Sequence, residues 1–216
     1  MKILVGISGG IDSAVAAYLL KQQGHDVTGI TMSIYDGSIP VPISQKSGRA
    51  GRSGCFGPGE AKSLQDAKRL AERIGIQHHV ISLATEYHQE VLDYFRQEYL
   101  AGHTPNPCVM CNRKMKFDAL PNAAHKVGID FDLYATGHYA RIYRHPATNR
   151  YVIKRSKDPV KDQTYFISHL SQSQLANIIF PLVNLKIIII NFDKSFCYIL
   201  KYTHIIRIFI KIDKQK

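Results

Sequence analysis

The chain has no tryptophan and only four cysteines in 216 residues. Four unevenly spaced cysteines do not form the disulfide framework of a small secreted domain, and they favour a reducing compartment. The sequence also lacks a run of about 18 consecutive apolar residues, the usual length of a membrane span. A signal-peptide pattern is absent too, because Met1 and Lys2 lead directly into an apolar strand. We therefore expect a cytoplasmic protein without a membrane partner.

Acidic residues are scarce as well, since 17 Asp and Glu stand against 28 Lys and Arg, for a formal net charge of +11. Segment 183–216 carries seven basic and two acidic residues, hence +5, and residues 1–182 carry 21 and 15, hence +6. A moderately basic body is compatible with a polyanionic partner such as RNA. Charge of this size does not by itself identify the partner.

A glycine-containing loop stands between the first strand and the first helix. Residues 2–24 read KILVGISGGIDSAVAAYLLKQQG, a short buried strand, two adjacent glycines and a helix that Gly24 ends. Two missing side chains at a helix N-terminus leave backbone N–H groups that suit a phosphate. Because no Lys follows the glycines, the loop is not a Walker loop, and the dinucleotide pattern G-x-G-x-x-G is absent too. A plain strand-to-helix turn is the alternative.

The polar residues of this loop favour the phosphate interpretation. Ser8 and Ser13 add hydroxyl donors, and Asp12 adds a carboxylate able to hold Mg²⁺ beside a phosphate. The stretch resembles the SGGxDS pyrophosphate loop of the ATP pyrophosphatase superfamily, whose members adenylate a substrate and release pyrophosphate. The resemblance implies ATP and Mg²⁺ as cofactors, with ATP held by Gly6, Ile7, Ser8, Gly9, Gly10, Ile11, Asp12 and Ser13.

Strands and helices alternate along the chain and predict a doubly wound parallel sheet with ligands at the carboxyl ends of the strands. The ATP pyrophosphatase (PP-loop) type of α/β fold matches this pattern. Val91, Tyr94, Phe95 and Tyr99 are expected on the buried side of a helix over 85–100. The other expected elements are strands at 3–7, 25–32, 79–83 and 133–136, helices at 14–20, 60–74 and 113–127, and a hairpin over 141–155.

Cys108 and Cys111 form a C-x-x-C arrangement in GHTPNPCVMCNRKMKF, residues 102–117, expected just before a helix. A helix N-terminus flanked by basic residues lowers the pKa of a thiol and favours thiolate. Three interpretations stay open. A zinc site needs two further ligands, a thioredoxin-like pair needs a different surrounding fold, and a nucleophilic or sulfur-handling cysteine fits a neighbouring ATP site. We expect no metal site.

Four motifs in this order resemble the tRNA-specific 2-thiouridylase family. They are the SGGIDS loop, TPNPCVMCN at 104–112, YATGHYAR at 134–141 and KDQTYF at 161–166. The resemblance implies ATP-dependent sulfur insertion at C2 of the wobble uridine of tRNA, through an adenylated intermediate. The implied partners are tRNA and a donor protein that supplies persulfide sulfur.

The resemblance also assigns residues to roles. Cys111 is the implied nucleophile, whereas some members have Asp at the position of Cys108. Met32 and Gly137 would line the adenosine pocket. Contacts with tRNA would come from Asn106, Pro107, Cys108, Lys161, Asp162 and Gln163. For Lys161 and Asp162 an ordinary solvated charge pair is the alternative, and His138 is expected to be structural.

The family match runs to about Leu182, so we expect an incomplete catalytic domain over 1–182 and an atypical tail over 183–216. The tail has ten Ile and six Lys but neither Gly nor Pro, and shows no clean period. In the family a second cysteine carries the persulfide, and its disulfide bond with the nucleophile would need Cα atoms within about 7 Å. Cys197 is expected to lie farther than this from Cys111. A catalytically inactive ATP- or RNA-binding remnant is therefore the alternative function.

Overall fold

The computed structural model describes residues 1–40 and 55–184 in full, and the backbone alone of 187–192 and 195–200. Its strands are β1 (Lys2–Gly6), β2 (Asp26–Ser33), β3 (Gln77–Ser82), β4 (Leu133–Thr136), β5 (Ala140–Arg144), β6 (Tyr151–Arg155), β7 (Ile178–Ile179), β8 (Ile187–Phe192) and β9 (Ser195–Leu200). Its α-helices are α1 (Ile11–Gln22), α2 (Glu60–Ile74), α3 (Ala84–Tyr87), α4 (Asp93–Leu100), α5 (Pro107–Met110), α6 (Leu120–Lys126) and α7 (Gln172–Ala176).

Five strands form one sheet in the order β3-β2-β1-β4-β7, and each neighbouring pair is parallel. The chain moves outward from β1 to β2 and β3 on one side, and to β4 and β7 on the other. The strand order therefore changes direction at β1 and β4. In open parallel sheets a ligand crevice opens at such a point, beyond the carboxyl ends of the strands. The predicted doubly wound α/β fold is confirmed.

Apolar residues of β1 alternate between two cores. Ile3 and Val5 belong to the cluster that contains residues of α1 and α2, whereas Leu4 belongs to the cluster under the helical segments 84–100 and 107–126. All three side chains are buried. Because both faces of the strand are covered, its sequence is continuously apolar, as expected for a central parallel strand.

The helical run after β3 exposes two aromatic side chains that were expected to be buried. It continues from Ala84 to Leu100 but contains a π-helical segment, His88–Leu92. Val91 is buried as expected, whereas Phe95 and Tyr99 are 40% and 66% exposed, so their expected burial is wrong. A π-helical turn accommodates one extra residue, which shifts the register of the residues beyond it. The α-helical spacing used for the prediction does not continue past the segment.

A second helical run begins earlier than expected. α5 starts at Pro107, and the π-helical segment Cys111–Ala119 leads into α6. The expected start at residue 113 is therefore wrong, and both cysteines lie within the run. Pro121 lies in the first turn of α6, directly after the π-helical segment, and has no N–H to continue the α-helical hydrogen-bond ladder.

Two hairpins complete the described structure. β5 and β6 pair in antiparallel register around a turn that contains Asn149 at φ 57°, which confirms the predicted hairpin. β8 and β9 also pair antiparallel, from Ile187 opposite Leu200 to Phe192 opposite Ser195. These residues form strands although the tail shows no clean period, since β-branched isoleucines favour this conformation. Residues 201–216 lie outside the described residues. Among the residues that the structure describes, no helix is long and apolar enough to cross a bilayer.

Candidate active site

The loop between β1 and α1 turns at Ser8, Gly9 and Gly10. Gly9 has φ 77°, and a Cβ at this position would lie 2.5 Å from the carbonyl oxygen of Ser63 on α2. Only glycine therefore fits where the loop passes this helix. Gly10 is the N-cap of α1 and has an extended backbone, and a Cβ there would meet only Ser8 Oγ at 3.4 Å. The space in front of the helix N-terminus is thus open.

Ser13 shapes the loop from inside. Its hydroxyl donates to the carbonyl oxygen of Gly10 at 2.9 Å and accepts the backbone N–H of Ser8 at 3.2 Å. The side chain is buried, whereas Ser8 and Gly10 are exposed. The Ser13 hydroxyl therefore donates its hydrogen bond within the loop, to Gly10. The exposed donors are the Ser8 hydroxyl and the N–H groups at the start of α1, which Gly10 has no side chain to cap.

Gly137 brings the end of β4 against this same helix N-terminus. A Cβ at Gly137 would lie 2.6 Å from the backbone nitrogen of Ser13 and 2.7 Å from the carbonyl carbon of Asp12. Because those neighbours are backbone atoms, they cannot move aside as a flexible side chain would. The loop and Gly137 consequently meet at the point where the strand order changes direction. Met32 is half-buried near the end of the adjacent strand β2.

The chain that leaves β2 is held by a residue that the sequence analysis missed. Glu60, in the first turn of α2, is buried, and its carboxylate accepts hydrogen bonds from Ser33 Oγ at 2.9 Å and from the N–H groups of Ile34 at 2.7 Å and Tyr35 at 3.2 Å. Hydrogen bonds to a charged acceptor are among the stronger ones in proteins. They fix the backbone beyond Met32. An acidic residue in the first turn of a helix was the available signal, but that position is also common on exposed helices.

A second missed residue, Tyr139, contacts the carboxylate of the loop. Its hydroxyl donates to Asp12 Oδ1 at 3.1 Å, and the residue is only 1% exposed. Burial raises the pKa of this phenol well above its usual value, and the neighbouring negative charge of Asp12 adds to the shift. The tyrosine is therefore a neutral hydrogen-bond donor. No local pattern in the sequence connects residues 12 and 139.

The C-x-x-C segment is ordered by its N-cap. Asn106 Oδ1 accepts the backbone N–H of Val109 at 3.2 Å, and Pro107 takes the first helical position, where a missing N–H costs nothing. Cys108 is exposed on this first turn. Cys111 lies one turn farther along, where the π-helical segment begins.

Cys111 has a raised pKa, which contradicts the expected thiolate. The residue is 7% exposed, and burial raises the pKa of its thiol to about 11, while the positive charge of Lys116 acts in the opposite direction. The helix starts at Pro107, so Cys111 lies beyond the first turn, where a helix N-terminus has its effect. In this conformation the thiol is therefore protonated at neutral pH.

Asn112 connects the helical run that contains Cys108 and Cys111 to the turn that follows residues 161–163. The residue is buried, and its Nδ2 donates to the carbonyl oxygen of Phe166 at 3.0 Å. Its Oδ1 is buried without a hydrogen-bond partner among the described residues. Phe166 belongs to a short 3₁₀ turn, Thr164–Ile167. The C-x-x-C and KDQTYF motifs are thus in direct contact.

A cavity of about 140 Å³ opens between these two motifs. Asn106 lies on its wall, and Asn106 Nδ2 donates across to the hydroxyl of Tyr165 at 3.4 Å. Neither cysteine lines the cavity, although Cys108 lies two residues from Asn106. The lining residues are Tyr94, Asn106, Val109, Met110, Tyr165, Ser168 and His169.

Residues 161–163 are half-buried and bound to the body of the domain. The carboxylate of Asp162 accepts from Thr164 Oγ1 at 2.7 Å and from the backbone N–H of Ser156 at 3.3 Å. Gln163 pairs twice with Tyr139, because its Oε1 accepts the Tyr139 N–H at 2.9 Å and its own N–H donates to the Tyr139 carbonyl at 3.1 Å. Asp162 and Gln163 are therefore held against the body of the domain, and the contact of residues 161–163 with tRNA stays a prediction.

His138 has the surroundings of a structural residue. Its Nδ1 is hydrogen-bonded to Thr136 Oγ1 at 2.8 Å, and its ring lies 5.5 Å from that of Phe117. Burial lowers the pKa of the imidazole, and the charge of Lys116 lowers it further, so the ring is neutral. Within the fully described ranges, no group of three or more His, Cys, Asp and Glu side chains is placed to hold a metal ion.

Comparison with known proteins places this arrangement in a family. Residues 1–191 match the family model described as the tRNA methyl transferase HUP domain. The chain belongs to this family. A curated relative named tRNA-specific 2-thiouridylase MnmA, from Endomicrobium trichonymphae, is 48% identical over 182 residues, which cover 84% of this chain and 49% of the relative. The protein of the same name from Clostridioides difficile is 42% identical over 181 residues, covering 84% and 46%.

These relatives confirm the resemblance to tRNA-specific 2-thiouridylases that the four sequence motifs indicated. The chain spans about half the length of the curated relatives it matches. Among solved structures, the "predicted subunit of tRNA methyltransferase" from Methanocaldococcus jannaschii is 19% identical, with 85% of this chain and 69% of that chain covered, at a TM-score of 0.45. A glutamine-dependent NAD⁺ synthetase from Acinetobacter baumannii is 18% identical, with 63% and 21% covered, at a TM-score of 0.36.

Proposed function

We propose that this HUP domain provides the ATP site and the target-base site of a tRNA 2-thiouridylase, which inserts sulfur at C2 of the wobble uridine. The observation that carries the proposal is the open N-terminus of α1, where the N-cap residue Gly10 provides no side-chain cap, at the point where the strand order changes direction. The names of the curated relatives support the reaction. The proposed partners are tRNA and a protein that donates persulfide sulfur, and the proposed compartment is the cytoplasm.

ATP is the proposed ligand of residues 6–13, with Met32 and Gly137 on the adenosine side. The uncapped N–H groups at the start of α1 and the space in front of Gly10 fit a pyrophosphate, because N–H dipoles at a helix N-terminus stabilise negative charge. Asp12 would hold Mg²⁺ beside the phosphates, since its carboxylate is bound by a hydroxyl donor and by no cation among the described residues. Adenylation converts the uridine oxygen, a poor leaving group, into a good one.

The target uridine is proposed to bind near Asn106, where the cavity between the C-x-x-C and KDQTYF motifs opens. Tyr94, Tyr165 and His169 contribute flat rings to its wall. Proteins that act on single-stranded RNA bases extrude the base and stack it on such side chains. Pro107 and Cys108 follow Asn106 directly in the chain, and we propose that they contact the tRNA together with Lys161, Asp162 and Gln163.

Cys111 is the proposed nucleophile, and its burial restricts when it acts. A protonated thiol with a pKa of about 11 is a poor nucleophile at neutral pH. The surroundings of Cys111 must therefore change when tRNA binds, so that the sulfur is exposed and deprotonated. Lys116 is the positive charge that already favours the thiolate there. Cys108 is exposed, so the two cysteines must be distinguished by experiment.

The test is 2-thiouridine in tRNA from cells that rely on this chain alone, measured by mass spectrometry of nucleosides. Cys111→Ser should abolish 2-thiouridine, and Cys108→Ser should leave part of it. Cys55→Ser is the matched control, because Cys55 is also an exposed cysteine but lies outside the C-x-x-C helix. Equal losses at positions 108 and 111 would favour a shared metal or redox pair. Nucleotide binding without any 2-thiouridine from the unmodified chain would favour an inactive remnant.

A further inference from the structure

Tyr139 joins two parts of the molecule that the proposed function uses separately. On one side its hydroxyl donates to Asp12 of the phosphate loop at 3.1 Å. On the other side its backbone N–H and carbonyl both pair with Gln163, at 2.9 Å and 3.1 Å. One residue therefore contacts the loop proposed for ATP and the segment proposed for tRNA.

The packing around Tyr139 makes this connection stiff. The ring is almost completely buried in a cluster with Val15 and Ala16 of α1 and with Leu182. The Lys161 ammonium lies 5.9 Å from the centre of the ring. Close-packed interiors transmit displacements rather than absorb them. A shift of the Tyr139 hydroxyl is therefore expected to move its backbone and Gln163 with it.

Ligand binding at the loop would act on this hydroxyl. Asp12 is the carboxylate proposed to hold Mg²⁺, and a cation there competes with the tyrosine for the electron pairs of the carboxylate. A buried hydroxyl that loses its acceptor is unfavourable, so the tyrosine must follow the carboxylate or find a new partner. The negative charge of Asp158, which also acts on Tyr139, lies in the same neighbourhood.

We propose that Tyr139 is a positioning residue that couples the two sites, so that Mg²⁺-ATP at residues 6–13 increases the affinity of segment 161–163 for tRNA. Coupling between binding sites is reciprocal, hence tRNA must tighten ATP by the same factor. The inference rests on the proposed function, because that function assigns ATP to the loop and tRNA to the segment. It adds that the chain binds ATP most tightly when tRNA is already bound.

The experiment measures the dissociation constant of Mg²⁺-ATP with and without a saturating anticodon stem-loop RNA that has uridine at the wobble position. We expect the RNA to tighten ATP by about fivefold or more in the unmodified chain, within the usual range of coupling energies. Tyr139→Phe keeps the ring but removes the hydroxyl, and should reduce the coupling factor to about one. Tyr18→Phe is the matched control on the same helix as Asp12, and it should keep the coupling.

A second pair of variants distinguishes loss of the Tyr139–Gln163 contact from misfolding of the Tyr139→Phe variant. Gln163→Glu retains the oxygen that accepts the Tyr139 N–H, whereas Gln163→Ala removes it, so the first should keep more of the coupling. Unchanged coupling in Tyr139→Phe would overturn the inference, as would ATP and RNA binding that are independent in the unmodified chain. In both cases the proposed function stands. Absence of ATP binding by the unmodified chain would overturn the proposed function and this inference together.

Discussion

The burial of Cys111 predicts a slow and strongly pH-dependent reaction with alkylating reagents. The thiol pKa rises from a reference value of 9.0 to about 11, and each unit reduces the thiolate fraction tenfold at a given pH. At pH 7.5 the folded chain should therefore have about 100-fold less thiolate at Cys111 than the same residue in the unfolded chain. Restricted access of the reagent to a buried sulfur reduces the rate further.

Iodoacetamide labelling followed by peptide mass mapping measures this rate at each cysteine. The reference is Cys111 itself in urea, and exposed Cys108 provides an internal check that the reagent is active. Labelling of Cys111 should be at least about 100-fold faster in urea. Equal rates in the folded and unfolded chain would refute both the burial and the proposal that tRNA must expose the thiol.

The remaining predictions concern stability. The pKa of Cys111 is higher in the folded than in the unfolded state, so the protonated thiol should contribute fully to the free energy of unfolding below the unfolded pKa of 9.0. This contribution should disappear as the pH rises towards about 11, which thermal melts from pH 7 to 11 would measure. Gly9→Ala should cost about 1–2 kcal/mol for φ 77° alone, and more from the 2.5 Å approach to Ser63, whereas Gly10→Ala should be nearly neutral in urea unfolding. Glu60→Ala should cost about 3 kcal/mol, since the N–H of Ile34 loses its buried acceptor, and Glu60→Gln should cost less; equal costs would contradict this.

The parts of the fold that were predictable from the sequence have local causes. The strand 133–136 and the helix 60–74 occur at the expected residues, because apolar periodicity and flanking glycines act over a few positions. The glycine turn between β1 and α1 was equally visible. Gly9 and Gly10 are adjacent in the chain, and the loop conformation depends on them and on the helix that follows.

The features that were missed arise from tertiary structure. Tyr139 and Asp12 are 127 positions apart, and only the parallel pairing of β1 with β4 brings them together. The raised pKa of Cys111 depends on packing, whereas the sequence showed only basic neighbours. The π-helical segments shift the register within helices that otherwise look regular, and hence the burial of Phe95 was predicted incorrectly.

The distance between Cys111 and Cys197 stays a prediction. Cys197 lies in β9, of which the structure describes the backbone alone, and its pairing partner in β8 is Ile190. Mild oxidation followed by peptide mapping tests the predicted separation, since a disulfide formed in high yield requires Cα atoms within about 7 Å. Such a disulfide, lost together with 2-thiouridine in Cys197→Ser, would show that the tail carries the second active-site cysteine.

The central claim is that residues 6–13 bind the phosphates of ATP at the N-terminus of α1. Isothermal titration of Mg²⁺-ATP into the chain and into Gly10→Val tests it most directly, because a branched side chain at Gly10 occupies the space of the phosphate but leaves the apo loop nearly undisturbed. Ala101→Val, an exposed position at the end of α4, is the control for the added side chain. We predict binding by the unmodified chain and the control, and loss of about 100-fold or more in affinity for Gly10→Val, the equivalent of about 2.7 kcal/mol. Unchanged affinity in Gly10→Val, with its thermal stability intact, would contradict the claim.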